Sequence, residues 1–270
     1  MSIRRIMFCI VYAIISGFFR TIFYWFSSDT MTVTHVVLDQ SFSWFYPIVA
    51  MQVDLSIQYA PFLIFQVLFA GNLSNHFQRS GVFFFSRQTN RTRWFFRECG
   101  SMAGYCGIYT VSFLIVCLMI ANVTGGLAWD EADLLAMIYF CFLVGMWLFF
   151  HCLMLDLIAI HGGIILGFVV SSILQFGYIS LYSFCQSLNQ LGDGMIGGEE
   201  LPNWLTALVW GNPFSHLILC WHKSGYEMLG NQIDYYGIGI DLNVSLIAFA
   251  VAIVVLIGLG NVSICRKDIL

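Results

Sequence analysis

The sequence predicts an all-α, multi-pass membrane protein with six transmembrane helices. Composition is the first observation behind this class: 59% of the 270 residues are hydrophobic and only 10% are charged, whereas about 25% of the residues in a soluble globular domain are charged. The second is the length of the apolar segments, since a helix needs about 20 apolar residues to cross the hydrocarbon core. We therefore expect residues 1–270 to form a single transmembrane domain.

The spans are assigned to successive runs of apolar residues. Span 2 ends near residue 71, but its start is ambiguous because the preceding stretch SFSWFYPIVAMQVD is also apolar. The connections after spans 3 and 4 are short, whereas residues 72–101 and 186–241 form long connections. The six predicted spans cover residues 6–27, about 55–71, 102–122, 134–155, 163–185 and 242–263.

Charge placement predicts the orientation, because lysine and arginine are concentrated in the cytoplasmic loops of membrane proteins. With the N-terminus inside, all of the 11 Lys and Arg residues except Arg20 and Lys223 fall on the cytoplasmic side. Both termini are then cytoplasmic, and the composition and small size suggest a bacterial plasma membrane. Arg20 lies within span 1, where we expect it to snorkel to the outer surface or to pair with Asp29 or Asp54.

Residues 79–98, RSGVFFFSRQTNRTRWFFRE, combine five arginines with aromatic residues on both sides of a polar centre. This pattern favours a short helix with one apolar and one basic face. Such a helix binds anionic lipid, lies in the membrane interface or docks in a groove on a partner protein. A simple lipid anchor needs the arginines but not the aromatic residues on both sides.

Two segments carry a resemblance to a known family. The pattern R-S-G-x-x-x-x-S-R-x-x-x-R-x-x-W-F-x-R-E, between spans 2 and 3, resembles the cytoplasmic coupling loop of type-two ABC transporter permeases. Between spans 5 and 6, LPNWLTALVWGNPFSHLILCW (residues 201–221) is similar to that family's outer hydrophobic hairpin, with a Pro-x-Trp-Leu start and an Asn-Pro break. One departure is that only residues 1–5 precede span 1, where members often have an amphipathic helix.

The resemblance implies a fold, a partner and a function. The fold would place a coupling helix between spans 2 and 3 and a re-entrant helical hairpin in the outer leaflet between spans 5 and 6. The chain contains no G-x-x-x-x-G-K-[ST] motif, so ATP and Mg would be held by a separate cytoplasmic ATPase. This chain would be a transport subunit rather than an enzyme, without a cofactor of its own, paired with an identical or different second permease subunit. The residues expected to contact the ATPase are Phe84, Phe85, Arg87, Arg91, Arg93 and Trp94.

Spans 2 and 5 resemble the pair that lines the path between the two permease subunits. Span 5 carries polar residues spaced by four, three and four positions, which puts them on one helical face. An aromatic wall opposite this stripe suits an amphipathic or hydrophobic substrate, such as an antimicrobial peptide, a drug or a lipid-like molecule. Hydrogen bonding between helices explains the same residues equally well, and both interpretations stay open. The candidate path residues are Gln58, Phe62, Phe65, Gln66, Phe69, Ser171, Gln175, Tyr178 and Tyr182.

Two other functions stay open: a membrane-embedded enzyme, and a non-transporting membrane protein that binds a peptide outside, such as an immunity subunit. The sequence has neither H-E-x-x-H nor G-x-S-x-G, and we predict no catalytic or metal-binding residue. His151, Asp156 and His161 bracket the predicted turn between spans 4 and 5, where we expect them to be solvated rather than to bind a metal or a proton. Nucleic acid is not an expected partner.

Overall fold

The computed structural model describes residues 2–21, 31–42, 48–71, 73–77, 90–191, 203–226, 229–230, 233 and 239–266. A short helical turn over residues 73–77 follows α3, and two 3-10 turns, Ser215–Leu217 and Leu219–Trp221, follow α7. The α-helices in these residues are α1 (Ile3–Thr21), α2 (Val33–Gln40), α3 (Ile48–Phe69), α4 (Arg91–Thr124), α5 (Asp133–Gly162), α6 (Ile164–Leu191), α7 (Asn203–Gly211) and α8 (Leu242–Arg266).

Five helical segments are long and apolar enough to cross a membrane, which confirms the predicted class of an all-α, multi-pass membrane protein. They overlap predicted spans 2 to 6. Their bounds are Leu55–Phe77, Arg91–Thr124, Asp133–Gly162, Ile164–Cys185 and Leu242–Arg266. Span 3 is longer than predicted, because its helix begins at Arg91 rather than at residue 102. Residues 91–98, predicted to belong to a separate short helix, are therefore its first turns.

The first predicted span, α1, differs from these five because it carries Arg4, Arg5 and Arg20 within 19 residues. It nevertheless packs along α4 over much of its length. One face is buried there, where the Cys9 thiol donates to the Tyr105 carbonyl oxygen at 3.3 Å. Its other face presents large apolar side chains to the outside of the bundle: Met7, Phe8, Val11, Ile14, Ile15, Phe18 and Phe19.

The helices alternate in direction, so the bundle has two chemically different ends. At one end the start of α4 meets the end of α8, with Arg91 Nη1 donating to the Ile264 carbonyl oxygen at 3.5 Å. At the other end the start of α5 meets α2, where Asp133 Oδ1 accepts the Thr34 backbone N–H at 2.9 Å. The basic end contains Arg4, Arg5, Arg91, Arg93, Arg97 and Arg266, and the acidic end contains Asp130, Glu131, Asp133 and Asp241.

Two short parallel pairings close the acidic end. Met31–Thr32 pairs with Leu127–Ala128, which links the start of α2 to the connection between α4 and α5. His222–Lys223 pairs with Ile240–Asp241, directly before α8. Each pairing is a two-stranded sheet of two residues per strand, which joins neighbouring helices.

The helix α5 is longer than predicted, since it runs to Gly162 rather than to residue 155. Residues 157–160 are apolar and contain no helix breaker. The helix ends only at Gly163, which has a φ of 86° that favours glycine. His151 and Asp156 are consequently buried inside the bundle. The expectation that they lie in a solvated turn is wrong, whereas His161 is exposed near that turn and meets Ser263 Oγ at 2.7 Å.

Arg20 is only 8% exposed, so the expectation that it snorkels to the surface is wrong. The alternative, a pair with Asp29 or Asp54, involves side chains outside the described part of the structure. Its guanidinium donates to the Gln40 carbonyl oxygen at 2.9 Å and to the Gln58 carbonyl oxygen at 2.8 Å. It also lies 4.8 Å from the ring centroid of Phe42. Because Gln40 ends α2, the cation meets the partial negative charge at that helix C-terminus.

The segment between α6 and α8 enters the bundle from the acidic end and turns back. Its predicted break at Gly211–Pro213 is where α7 ends, but two 3-10 turns follow in place of a second α-helix. At the tip, Phe214 packs against Trp147, their ring centroids 6.2 Å apart, and Trp147 lies midway along α5. The chain then returns to the acidic end at His222–Lys223.

Candidate functional site

The predicted polar stripe of α6 meets α3 and α5 in one buried hydrogen-bond network. Gln66 and Gln175 exchange two amide hydrogen bonds, each 2.8 Å long. Gln175 Nε2 also donates to Ser171 Oγ at 2.8 Å. The Tyr59 hydroxyl donates to Gln175 Oε1 and accepts from Trp147 Nε1, the latter at 2.6 Å. Three helices are thereby joined through one amide pair.

This network is buried, and its members bond to one another. Each of its five side chains is at most 1% exposed, and each has a hydrogen-bond partner inside the protein. In the conformation described, these residues therefore have the geometry of interhelical packing, and a path along them would first require the Gln66–Gln175 pair to separate.

The phenylalanines of the predicted aromatic wall lie on the α1–α4 side of α3. Phe65 stacks on Tyr109, with ring centroids 4.3 Å apart, and on Phe69, at 4.6 Å. Phe62 packs against Phe113, with ring centroids 5.7 Å apart. All three phenylalanines of the wall are buried, so the predicted wall is the aromatic core that joins α3 to α4.

The remaining path residues contact the inserted hairpin or α1. Tyr182 is buried and lies 4.7 Å from Trp221 and 5.6 Å from Phe214, measured between ring centroids. Tyr178 is half-buried, and its carbonyl oxygen accepts from Asn212 Nδ2 at 2.9 Å. Gln58 accepts from Arg20 Nη1 at 3.2 Å through its side-chain oxygen. Two residues of the predicted stripe, Tyr178 and Tyr182, therefore contact the hairpin.

Sequence reasoning missed two members of the network, Tyr59 and Trp147. Tyr59 lies seven residues before Gln66, close to two helical turns, so helical spacing alone places the two on one face. That signal was present in the sequence. Trp147 had no such signal, because its role depends on α5 packing beside α3 and α6.

The second part of the candidate site is the basic end. Of the predicted ATPase contacts, Phe84, Phe85 and Arg87 lie outside the described residues. The other three begin α4. Asn90 caps this helix, accepting the Arg93 backbone N–H at 3.0 Å. Arg93 itself is exposed, while Trp94 is half-buried against Phe77, with ring centroids 6.3 Å apart.

A cavity of about 300 Å³ opens beside this helix start. Arg5 from α1 and Arg97 from α4 line it. His76 and Glu98 line it as well, and His76 Nδ1 lies 3.6 Å from Glu98 Oε2. Asp156 Oδ1 accepts the Ser74 backbone N–H at 3.2 Å and so fixes the turn after α3. The basic end therefore combines exposed cations with a cavity that three parts of the chain define.

No metal-binding site is found in the part of the chain that the structure describes. Within those residues, no group of three or more His, Cys, Asp and Glu side chains is placed to hold a metal ion. None of the cysteines in the same residues forms a disulfide, and most of them are buried.

Comparison with known proteins adds no relative. No protein-family model matches the chain, and neither a curated protein nor a solved structure matches it at a significant level.

Proposed function

We propose that the chain is the membrane permease subunit of an ATP-driven exporter of the type-two ABC class. The carrying observation is the segment between α6 and α8, whose tip reaches the middle of α5 and whose end returns to the acidic end. A hairpin that enters from one face, between the last two spans of a bundle with a basic opposite face, is the arrangement expected of such a permease. We infer that this hairpin re-enters the outer leaflet without crossing it.

In this proposal α1 also crosses the membrane, which brings the number of spans to six. Its apolar outer face and its packing along α4 support a position in the membrane. Arg20 is compatible with that position because its guanidinium donates hydrogen bonds to carbonyl oxygens inside the bundle. The basic end then faces the cytoplasm of a bacterial cell, together with both termini, as the distribution of arginine favours.

The proposed contact with the ATPase is the start of α4 and the segment before it. With 34 residues at 1.5 Å per residue, α4 is about 51 Å long. The hydrocarbon core is about 30 Å thick, so α4 has length to project beyond it at the basic end. Because α1, α5 and α8 all pack on α4, a force applied near Arg93 and Trp94 would be transmitted into the bundle.

A second permease subunit, identical or different, would complete the transport path. The apolar windows of α6 and α8 are only 22% and 17% buried, against 61% for α5. These two helices therefore offer the largest lateral surface for lipid or for a partner. We propose that an amphipathic or hydrophobic substrate moves along α3 and α6 when the Gln66–Gln175 pair opens, driven by ATP and Mg on the ATPase.

Purification of the tagged chain in mild detergent, followed by mass spectrometry, tests the function. We expect an ABC ATPase to co-purify in stoichiometric amount, and its ATP hydrolysis to respond to amphipathic compounds. Recovery of the chain without an ATPase from its native membrane would contradict the proposal.

Cysteine labelling tests the orientation separately, in a background without native cysteines. A cysteine placed at Asp130 should react with an impermeant reagent added outside the cell, whereas one placed at Arg93 should not. A reporter fused after Leu270 should be cytoplasmic. An external reporter would mean that the hairpin crosses the membrane.

A further inference from the structure

Two histidines of the hairpin converge on one serine of α8. His216 belongs to the first 3-10 turn and His222 to the short strand that precedes the return to α8. Ser245 lies in the first turn of α8. His216 Nδ1 and His222 Nε2 each lie 2.8 Å from Ser245 Oγ. All three residues are at most 8% exposed, so water does not compete freely for these contacts.

In each ring, the nitrogen that does not face Ser245, here called the outer nitrogen, shows where the ring proton lies. His216 Nε2 lies 2.9 Å from the Trp210 carbonyl oxygen, and His222 Nδ1 lies 2.8 Å from the Ile218 carbonyl oxygen. A carbonyl oxygen only accepts, so both outer nitrogens carry a hydrogen. In a neutral imidazole the other nitrogen is then bare. Both bare nitrogens are directed at Ser245 Oγ.

The serine hydroxyl cannot satisfy both rings while they are neutral. It has one hydrogen to donate, and the Asp241 carbonyl oxygen at 3.3 Å is a third acceptor around it. One ring nitrogen therefore faces an oxygen lone pair at hydrogen-bond distance. One added proton removes the conflict: the charged ring donates to Oγ, and the hydroxyl donates to the neutral ring.

We propose that His216, Ser245 and His222 form a site that binds a single proton, shared by the two imidazole rings through the serine hydroxyl. The proton completes a bridge between the hairpin and the first turn of α8. This inference stands on the hydrogen-bond geometry alone and does not depend on the proposed transport function.

Other interactions set how tightly the proton is held. Burial lowers the pKa of His216, and burial together with the neighbouring ring lowers the pKa of His222 to about 4. Hydrogen bonds to backbone carbonyl oxygens raise the pKa of both rings. The charge of Asp241 also raises the pKa of His222. Lys223 is exposed beside His222. Among the described residues, the charges that act on the rings are thus each other and Asp241.

The pH at which the two rings take up the first proton should consequently have both an upper and a lower limit. The shared hydrogen bond keeps the first proton to a higher pH than an isolated buried ring, and burial keeps the midpoint below the ordinary histidine value. We expect that midpoint between about pH 4 and pH 6.5. A second proton would put two cations on one hydroxyl, and their repulsion opposes it.

Nitrogen-15 NMR of histidine-labelled protein in detergent micelles measures this directly. In the unmodified chain, His216 and His222 should take up one proton between them in the expected window. Ser245→Ala removes the shared oxygen and should lower the midpoint by about 1 pH unit or more, the value of a hydrogen bond to a charged group. His222→Gln supplies a permanent N–H donor to Ser245 and should keep His216 neutral throughout the window.

The chain offers a matched control on the same helix. Ser263 meets only one histidine, His161, at 2.7 Å, so it poses no conflict between two rings. Ser263→Ala should leave the titration of His216 and His222 unchanged. Assignments come from spectra of the single histidine variants.

Three results would overturn the proposal. They are uptake of two protons in one step, no uptake by either ring above about pH 4, and a midpoint in Ser245→Ala equal to that of the unmodified chain. If Ser245→Ala does not fold, the titration of the unmodified chain and the response of His216 in His222→Gln decide the question.

Discussion

The buried network around Gln175 and the basic end around Trp94 are built in opposite ways. In the network, every amide and hydroxyl finds its partner inside the chain, and the five side chains are almost completely buried. At the basic end, Arg93 is exposed, Trp94 is only half-buried, and a cavity opens between Arg5 and Arg97.

The difference shows which region has all its interaction partners within the chain. Polar groups in hydrocarbon favour internal partners because no water is available to replace them. The network satisfies that condition without a second component. A surface that mixes arginine with a partly exposed tryptophan instead has the composition of protein interface anchors. We therefore expect changes in the network to alter the stability of the chain, and changes at the basic end to alter its association.

The largest effect is expected for Gln175→Leu. The substitution leaves the Gln66 amide, the Tyr59 hydroxyl and the Ser171 hydroxyl without their shared partner. We expect the free energy of unfolding in detergent micelles to fall by about 2–4 kcal/mol, since each buried polar group left unpaired costs about 1–3 kcal/mol and bonds between membrane helices lie at the low end. Phe176→Leu, on the adjacent exposed position of α6, should be nearly neutral.

The same substitution also separates the two interpretations of the stripe. If Gln175→Leu is no more destabilising than Phe176→Leu but changes which compounds stimulate the ATPase, the substrate path is favoured over packing. Gln66→Leu combined with Gln175→Leu should cost less than the sum of the two single changes, because the lone amide is removed.

The next effect is expected at the other region, for Trp94→Ala. Loss of a central aromatic anchor typically weakens an interface by about 2 kcal/mol or more. We expect the ATPase to dissociate or to be uncoupled even at low salt, with the chain still inserted in the membrane. Co-purification and transport measure this. Phe96→Ala is the control, because Phe96 lies two residues further along α4 and points to another side. Unchanged binding and transport in Trp94→Ala would identify this helix start as a lipid anchor.

A smaller loss is expected for Arg20→Lys. Lysine keeps the charge but not the planar set of five donors, so it cannot reach Gln40 and Gln58 together. We expect the free energy of unfolding to fall by about 1–2 kcal/mol, the range for one or two hydrogen bonds to a charged group. Arg4→Lys, at an exposed arginine of the same helix, is the matched control. Equal stability of the two variants would mean that the guanidinium geometry is unimportant.

The smallest effect is expected for Arg93→Glu. An exposed charge at the rim of an interface contributes about 1 kcal/mol or less and is screened by salt. ATPase binding should weaken at low ionic strength and recover at high ionic strength, as measured by co-purification over a salt series. A loss that salt does not change would place Arg93 in the buried centre of the contact.

The sequence predicts the spans well where apolar runs are bounded by breakers. The hairpin break at Gly211–Pro213 and the starts of α5, α6 and α8 follow from local signals. The end of α5 does not: the predicted span stops at residue 155, whereas the apolar residues 157–160 continue the helix past Asp156 to Gly162. A buried carboxylate is compatible with a helix interior only if a neighbouring segment supplies donors, here the turn at Ser74.

The site could be predicted only in part, for a related reason. The stripe on α6 follows from helical periodicity, and the structure brings its members together. Their hydrogen-bond partners depend on which helices lie beside α6, and the sequence of a single segment does not show that. Arg20 is the clearest case: its partners include the backbone carbonyl oxygens of residues 40 and 58, and a backbone carbonyl has no signature in the sequence.

The hairpin tip has a mechanical consequence. Asn212 donates to the backbone of Tyr178, and Trp221 packs at a tilt against Tyr182, so two successive turns of α6 hold the hairpin. A helix held in this way cannot rotate or slide without carrying the hairpin. The same hairpin also reaches α3, because the ring centroids of Phe214 and Tyr59 lie 5.9 Å apart. Any motion that parts α3 from α6 should therefore break the Gln66–Gln175 pair and also separate the hairpin from one of these two helices.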